Sequence, residues 1–429
     1  MNSIRVLDGM IEGDLASLVD TYKKLHAAPE LSHYEEQTST LVAGELSSLG
    51  FAVTENVGTY ARPEWKGYGV VAALKNGRGP TVLVRTDMDA LPLEEKTDLP
   101  YASKVNTKTD AGQAVGVMHA CGHDIHITCL LGTARMLTNL KDEWGGTLLM
   151  VGQPAEETAD GAKAMLDAGL YESFPKPNYA LALHNNAELE AGKVGYTPGY
   201  FLASLNSVDI TMRGVGGHGS TPEHSKDPIV LAAQVVLAIQ MIVSREISPL
   251  DSAVVSIGSI HGGTKYNIIP DEVHLQLTVR TYKEEVRKKI LASLERITFG
   301  IALAAGIPVE LAPVVKVSET EFTPATYNDP VLTARLSEAF EKPLGAQNVI
   351  ELPPLMGSED FGQFGLDGHQ IPTFMFWVGA VDPEKILASK RDGLALPPLH
   401  SSHYAPLPEP TIRTGVKAMT SAVLELMKK

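Results

Sequence analysis

Three short segments in the first half of the chain are almost entirely apolar, and they constrain the fold more than any other feature. They are residues 81–84, 147–151 and 179–183. A strand with one face in solvent alternates apolar and polar residues, whereas a strand covered by helices on both faces is continuously apolar. Helical stretches, including residues 125–140 and 162–168, lie between the three segments. This order predicts an α/β fold with a mostly parallel central sheet.

A different pattern begins near Tyr200. Residues 208–212 and 273–279 alternate apolar and polar side chains, as strands with one solvated face do. Between them, Asp227 followed by Pro228 is a favourable start for a helix. Because 429 residues exceed the usual size of one hydrophobic core, we predict an α/β domain that carries an inserted α+β domain. The predicted boundaries are 1–198 and 318–429 for the α/β domain and 199–317 for the insertion.

The composition argues against several classes of partner. Asp and Glu outnumber Lys and Arg by 51 to 36, and the resulting net charge of −15 does not suit binding to nucleic acid. The two cysteines are too few for a disulfide framework. The longest apolar run, residues 229–243, is interrupted by two glutamines, and the N-terminus lacks the pattern of a signal peptide. We therefore expect a cytoplasmic protein that binds neither nucleic acid nor membranes.

Polar side chains follow the predicted sheet strands at their C-terminal ends. Asp87 and Asp89 come after the first of these strands, Glu156 and Glu157 after the second, and His184 after the third. Open α/β sheets bind ligands at the carboxyl ends of their strands. We therefore expect these side chains to form one site.

Cys121 and His123 add a thiolate and an imidazole just before a predicted helix. Together with histidine and carboxylate ligands they suit a borderline divalent ion such as Zn²⁺ or Mn²⁺, and they suit Ca²⁺ or Mg²⁺ poorly. In the adjacent pair Glu156 and Glu157, one carboxylate could bind metal while the other takes a proton from water. Any one of these residues alone would more often be structural. Their coincidence at one sheet edge favours a metal site.

Residues 119–126 (HACGHDIH) resemble the signature of the metallo-amidohydrolases that include hippuricase and the plant indole-acetyl-amino-acid hydrolases. These enzymes are relatives of aminoacylase and of the dimeric zinc carboxypeptidases. The likeness extends over almost the whole chain. Its other motifs are residues 26–31, 85–92, 153–157, 217–219, 267–270, 280, 357–361 and 399–401. Arg85 stands where the more distant relatives have a metal-binding histidine, which favours the hippuricase branch.

The resemblance implies two divalent metal ions, Mn²⁺ or Zn²⁺, with Co²⁺ or Ni²⁺ as alternatives. The positions that match the family's metal ligands are Cys121, His123, Glu157, His184 and His400. Cys121 is similar to the family's bridging ligand. Glu156 matches the general base, and Asp87 matches a carboxylate that orients the ligands or the base. His403 is a second histidine close to His400, and a role for it at the site stays open.

The resemblance also implies that the inserted domain is a lid that forms a homodimer. His218, Asn267 and Arg280 match lid residues that contact the substrate's carbonyl and carboxylate groups, with His218 acting at the partner's site. The implied reaction is hydrolysis of a small N-acyl amino acid to a carboxylic acid and a free amino acid. A dipeptidase or carboxypeptidase on the same scaffold is the alternative, because it also cleaves an amide beside a carboxylate. A non-catalytic metal protein is disfavoured by the intact Glu156.

Residues 59–65 and 353–356 are expected to line the pocket for the acyl group. The aromatic side chains of the first segment could accept an aryl or a long acyl chain. For Trp65 the sequence leaves two alternatives open, since the ring could face the substrate or pack against the core.

Overall fold

The computed structural model describes residues 2–429, with side chains from Arg5 onward. The α-helices are α1 (Asn2–Ala27), α2 (Glu36–Ser48), α3 (His123–Asn139), α4 (Gly161–Asp167), α5 (Leu170–Ser173), α6 (Pro228–Met241), α7 (Glu284–Ala304), α8 (Pro330–Leu344), α9 (Pro383–Asp392) and α10 (Pro408–Met427). The first strands are β1 (Ala52–Val57), β2 (Gly69–Asn76), β3 (Thr81–Asp87), β4 (Asn106–Lys108), β5 (Ala114–Gly116), β6 (Gly146–Gln153), β7 (Tyr179–Glu190), β8 (Val194–Tyr196) and β9 (Gly199–Leu202). The remaining strands are β10 (Ser204–Arg213), β11 (Gly217–His218), β12 (Ala253–Gly262), β13 (Ile268–Ile269), β14 (Glu272–Thr281), β15 (Val314–Thr323), β16 (Thr326–Asn328), β17 (Val349–Glu351) and β18 (Thr373–Val381).

These elements form two compact units. The first, called the catalytic unit below, contains the chain up to Phe201 together with Tyr327–Pro354 and Asp360–Lys429. The second, called the inserted unit, contains Leu202–Thr326 and Leu355–Glu359. β15 runs across the boundary expected at residue 317, because its pairing with β10 continues as far as Thr323.

The catalytic unit is built on an eight-stranded sheet in the order β1-β2-β6-β3-β7-β18-β8-β17. The four central strands β6, β3, β7 and β18 run parallel, and antiparallel pairings flank them. The central strands are buried along nearly their whole length, as their apolar sequences require. The predicted mostly parallel α/β fold is therefore confirmed.

Helices supply the other half of this core. α1, α3 and α10 pack against one another, and α3 also contacts β3 while α10 contacts β18. Their apolar side chains form one continuous cluster with those of the sheet. Cys129, which lies within α3, is fully buried in that cluster. The site described below is positioned by this rigid sheet and by the start of α3.

The inserted unit has a four-stranded antiparallel sheet in the order β12-β14-β10-β15. Buried and accessible residues alternate along β10 and β14, so the predicted half-buried strands are confirmed. α6 and α7 cover the apolar face of the sheet. α6 begins as predicted, because the Asp227 side chain accepts the Ile229 amide N–H and Pro228 occupies the first turn.

One helical stretch of the inserted unit has an unusual composition. Pro228–Glu246 is long and apolar enough to cross a membrane, with a mean hydropathy of 1.7, and 33% of it is buried. The sequence analysis predicted no such stretch, because the two glutamines interrupt the apolar run of residues 229–243. A single helix of this kind is weak evidence for a membrane span, since core helices of soluble proteins share the same length and composition.

Candidate active site

The polar residues that follow the parallel strands meet at one edge of the catalytic unit's sheet. β3 ends at Asp87, with Asp89 just beyond it, while Glu156 and Glu157 follow β6, and His184 lies within β7. β3 pairs parallel with both β6 and β7, so the C-terminal ends of these strands lie side by side. This is the edge at which α/β sheets bind ligands.

The turn that precedes α3 brings a thiol to the same edge. Gly122 caps the helix in a left-handed conformation, with φ of 79°. A Cβ at this position would lie 2.7 Å from Cγ of Asn185, which leaves room only for glycine. The turn places Cys121 Sγ 3.5 Å from His184 Nε2 and starts the helix at His123.

The five side chains that match the family's metal ligands lie together in the catalytic unit. They fall into two groups of potential donors, and within each group the donor atoms lie within 4.8 Å of one another. The groups are Cys121, His123 and His184, and Cys121, Glu157 and His400. His400 Nε2 lies 3.3 Å from Cys121 Sγ and 3.5 Å from Glu157 Oε1. Cys121 belongs to both groups, which is the arrangement that a bridging ligand needs.

The state of the buried donor atoms fits a metal centre. His123 is fully buried, yet neither of its ring nitrogens has a hydrogen-bond partner among residues 2–429, and the same holds for Glu157 Oε1. His123 Nε2 and Glu157 Oε1 face each other across 3.8 Å. Buried polar atoms without partners are costly, and a shared cation would satisfy both. Thiolate, imidazole and carboxylate donors suit Zn²⁺ and similar divalent ions.

Asp87 lies beneath this cluster in a network of buried side chains. It contacts His126 Nδ1 at 2.7 Å and accepts a hydrogen bond from Arg85 Nη1 at 2.8 Å, and its carboxylate lies 3.7 Å from His123 Nε2. Burial by itself would raise the pKa of Asp87, but the charges of His123, His126 and Arg85 hold that pKa well below its usual range. Asp87 is therefore a fixed negative charge.

Glu156 and Glu157 have different surroundings although they are adjacent. Glu156 Oε2 lies 4.0 Å from His123 Nε2. The Glu157 amide donates to Asp89 Oδ2 at 2.9 Å, and Asp89 Oδ1 lies 3.3 Å from His123 Nδ1. Burial raises the pKa of the Glu157 carboxyl, and a cation beside it would oppose that shift. Asp89 thus holds the backbone of Glu157 by a hydrogen bond and places a negative charge beside the His123 ring.

Asp89 was expected at the site, but three other supporting residues, His126, Asn185 and Tyr404, have no role in the sequence-based prediction. The spacing of His126 from His123 on α3 could have indicated His126. Asn185 hydrogen-bonds the His126 ring at 2.7 Å and also donates to the hydroxyl of Tyr404. No local sequence signal marks the last two residues, because their contacts join distant segments.

The structure separates the two histidines near the C-terminus. His400 contacts the donor cluster, whereas the ring of His403 is exposed and pairs with the hydroxyl of Ser402 at 3.1 Å.

Arg85, which stands where more distant relatives have a metal-binding histidine, has a structural role. It is buried and donates to Gln153 and Asp360, so it braces the sheet edge.

The three predicted substrate-binding residues all lie in the inserted unit, but the unit does not gather them. His218 and Asn267 are neighbours, since β11 pairs with β13 and the Gly219 amide donates to the Asn267 carbonyl at 2.9 Å. The strand β14 begins at Glu272, shortly after Asn267 and β13. Arg280 lies eight residues further along β14, near its other end. At a rise of about 3.4 Å per residue, that separation is about 27 Å.

Arg280 is held by the segment Leu355–Glu359. Its Nη1 donates to the Met356 carbonyl at 3.1 Å and to the Ser358 hydroxyl at 3.0 Å. Both bonds use one nitrogen of the fork, and Nη2 and Nε have no hydrogen bond within the described part of the chain. The rest of the guanidinium can therefore bind a carboxylate in the bidentate manner of arginine.

The aromatic side chains of residues 59–65 pack on protein. The Trp65 ring stacks on the His33 ring, with centroids 3.7 Å apart and planes at 7°, and the Arg62 guanidinium stands 4.5 Å from the Trp65 centroid. The Trp65 ring thus packs against His33, Tyr60 and Arg62 and is half-buried.

Comparisons with known proteins agree with this geometry. Residues 83–424 match the model of the family described as Peptidase family M20/M25/M40. The hippurate hydrolase of Campylobacter jejuni is 39% identical over 80% of this chain and 83% of its own length. Thermostable carboxypeptidase 1 of Saccharolobus solfataricus is 36% identical over 86% of this chain and 87% of its own.

Among solved structures, the YXEP protein of Bacillus subtilis, a dinuclear metal-binding peptidase of the M20 family, superposes with a TM-score of 0.75. It is 27% identical, and the match covers 97% of this chain and 99% of that one. The resemblance read from the motifs is therefore confirmed. On the combined extent of these matches, the chain belongs to peptidase family M20/M25/M40.

Proposed function

We propose that this protein hydrolyses the amide bond of N-acyl amino acids or related amino-acid conjugates and releases a carboxylic acid and a free amino acid. The observation that carries the proposal is the pair of donor groups that share Cys121, together with the Glu156 carboxylate, which lies close to the donor atoms of His123 and Glu157. The hippurate hydrolase relative, whose name describes cleavage of an acylated glycine, supports the same substrate class.

Cys121, His123, Glu157, His184 and His400 would hold two divalent ions, for which Zn²⁺ and Mn²⁺ are the best candidates. When bound, such ions lower the pKa of water and polarise an amide carbonyl. Glu156 accepts the proton of the attacking water and delivers it to the leaving nitrogen. Asp87 keeps its negative charge beneath His123 and fixes His126 and the ligand rings in place.

Arg280 provides specificity for the free carboxylate of the substrate. A guanidinium forms a planar, bidentate pair with a carboxylate, and the unused edge of Arg280 suits such a pair. His218 stabilises the carbonyl oxygen as it gains negative charge. From the sequence we expected Asn267 to hold the carboxylate together with Arg280, but within the inserted unit Asn267 lies beside His218. Their distance from Arg280 along β14 supports a site completed by the partner subunit of a homodimer.

Two features of the inserted unit favour that homodimer. β12 is an edge strand of the four-stranded sheet, so one of its sides can pair with another chain. α6 exposes large apolar side chains, with Leu237 74% and Met241 53% exposed. An exposed apolar helix beside an open strand edge is typical of a surface covered by a second subunit.

The second candidate is a dipeptidase or a carboxypeptidase, and the name of the Saccharolobus relative favours the carboxypeptidase. The metal centre does not distinguish the two activities, because both cleave an amide next to a carboxylate. They differ in whether the group on the acyl side carries a free α-amine. The two candidates therefore make opposite predictions for matched substrates.

A substrate panel tests the proposal. Purified protein is stripped with a chelator, reloaded with Zn²⁺ or Mn²⁺, and assayed with N-acetyl, N-benzoyl, indole-acetyl and long-chain acyl amino acids beside dipeptides of the same C-terminal residue. We expect turnover of at least one acyl class to exceed that of the matched dipeptide. Faster cleavage of the dipeptides would favour the carboxypeptidase, and no metal-dependent cleavage of either class would contradict both.

A further inference from the structure

Residues 32–35, here called the clamp segment, contact the loop of residues 154–160, here called the glutamate loop, at three points. The first contact passes through a shared carboxylate. The Ser32 hydroxyl donates to Asp89 Oδ2 at 2.6 Å, and the same oxygen accepts the Glu157 amide N–H at 2.9 Å. The backbone of one proposed metal ligand is thereby tied to the clamp segment.

The second and third contacts hold the two sides of the glutamate loop. His33 Nε2 donates to the carboxylate of Asp160, 3.1 Å from each oxygen. Glu35 Oε1 accepts the Ala155 amide N–H at 2.7 Å. Ala155 precedes the two glutamates and Asp160 follows them, so the clamp segment fixes the loop before and after its functional residues.

The glutamate loop needs such support because its backbone is strained. Ala155 and Ala159 both adopt left-handed conformations, with φ of 52° and 63°. Residues other than glycine rarely occupy this region, and they stay there only when surrounding contacts enforce it. The loop conformation that presents Glu156 and Glu157 therefore depends on partners outside the loop.

Glu35 offers its acceptor from a fully buried position. Its second oxygen, Oε2, has no hydrogen-bond partner within residues 2–429. Burial raises the pKa of Glu35, and the nearby charge of Asp89 raises that pKa further. A protonated carboxyl and a carboxamide present the same carbonyl oxygen to the Ala155 amide. The hydrogen bond from the Ala155 amide therefore needs the acceptor oxygen of Glu35 and does not need a negative charge on its carboxyl group.

Aromatic packing keeps the clamp segment itself in place. His33 has a left-handed backbone, with φ of 69°. Its ring is stacked on Trp65 and meets the Tyr60 ring edge-on, with centroids 4.8 Å apart. The hydrogen bond from His33 to Asp160 is therefore directed by rings on two sides.

We propose that the clamp segment positions the glutamate loop for the reaction and that Glu35 is its main positioning residue. By accepting the Ala155 amide, Glu35 sets the turn that carries the proton acceptor Glu156 and the metal ligand Glu157 into the site. This inference rests on the proposed function for the roles of these two glutamates. Its consequence for metal affinity can be measured whether or not a substrate is known.

Zn²⁺ affinity, measured by competition with a chromophoric chelator, tests this positioning role. Glu35→Met keeps a similar volume but removes the acceptor, and Glu35→Gln keeps the acceptor. Glu36→Met is the matched control, since Glu36 is the next residue and is exposed. Loss of an outer support of a ligand typically weakens metal binding about 10–100-fold. We expect a loss of that size in Glu35→Met and nearly unchanged affinity in Glu35→Gln and Glu36→Met.

Kinetics with any substrate found by the panel add a second readout. Glu35→Met should lower kcat much more than it changes KM, because it displaces Glu156 and not the residues that bind the substrate. Equal damage in Glu35→Gln would overturn the acceptor role, and wild-type affinity in Glu35→Met would overturn the positioning role. If Glu35→Met does not fold, Ser32→Ala decides: we expect weakened Zn²⁺ binding, and unchanged binding would refute the clamp. Zn²⁺ affinity is independent of turnover, so a failed function and a failed clamp give different results.

Discussion

Gly122 stands between the proposed ligands Cys121 and His123, and replacing it with alanine tests how tightly the site is built. Its φ of 79° is unfavourable for any residue with a Cβ. The added methyl would also lie 2.7 Å from Cγ of Asn185, which is fully buried. Asn185 must then move, although its side chain bonds the His126 ring and the Tyr404 hydroxyl.

The unfavourable φ and the steric clash with Asn185 contribute different amounts to the free energy of unfolding. A left-handed alanine costs about 1–2 kcal/mol. Breaking the two hydrogen bonds of Asn185 leaves buried polar groups without partners, at about 1–3 kcal/mol each. Gly122→Ala should therefore destabilise the catalytic unit by about 3–8 kcal/mol, of which only about 1–2 kcal/mol comes from the backbone.

Gly77→Ala is the matched control. Gly77 has the same φ of 79°, but a Cβ there would meet nothing within 4 Å. All three tryptophans, Trp65, Trp144 and Trp377, lie in the catalytic unit, so their fluorescence in a urea titration reports the unfolding of that unit. We expect a small shift of the unfolding midpoint for Gly77→Ala and a shift several times larger for Gly122→Ala. Equal shifts would refute the steric argument.

Three further predictions concern catalysis and pH. Glu156→Gln should bind Zn²⁺ like the wild type, yet lose about 10²–10⁴ in kcat, because it removes the proton acceptor alone; substantial turnover would exclude Glu156 as the base. Arg280→Ala should lower kcat/KM about 10–100-fold for substrates with a free carboxylate; an equal loss on the matched carboxamides would argue against the carboxylate role. Burial lowers the pKa of His26, but hydrogen bonds with Asp124 and Glu95 outweigh this and raise the pKa to about 9. The stability that His26 contributes is then complete below its unfolded pKa of about 6.5 and is lost as the pH rises through about 9. The free energy of unfolding in urea should therefore depend less on pH in His26→Gln than in the wild type. Equal pH dependence would count against the pairing of His26 with the two carboxylates.

The sequence predicts those strands of the sheet that are buried on both faces. Continuous apolar runs predicted β3, β6 and β7, because burial leaves a direct mark on composition. The flanking strands β1 and β8 left no such mark. β15 continues through the boundary predicted at residue 317, because it pairs with β10 as far as Thr323. Such pairing is decided between segments and not within them.

The proposed metal donors and the supporting Asp87 stand in sequence motifs, but the supports on distant segments do not. Cys121, His123 and Glu157 stand in short, recognisable runs. Glu35 contacts Ala155 across 120 residues of sequence, and Asn185 contacts Tyr404 across 219. Neither contact leaves a spacing that a sequence pattern could show. Trp65 illustrates the same limit, since its stacking on the His33 ring leaves no mark in the sequence.

Three backbone positions at the proposed site share the left-handed conformation. Gly122, Ala155 and His400 all have left-handed backbones, with φ of 79°, 52° and 64°, and each lies at or next to a proposed ligand or the proposed base. A distant segment secures each of them: Asn185 packs against Gly122, Glu35 accepts the Ala155 amide, and the His400 amide donates to the Ala120 carbonyl at 2.9 Å. Glycine adopts this conformation without strain, but Ala155 and His400 carry a Cβ, and their strain persists only where the fold over-determines the backbone. The buried contacts that hold these positions are therefore as much a part of the proposed site as the proposed ligands.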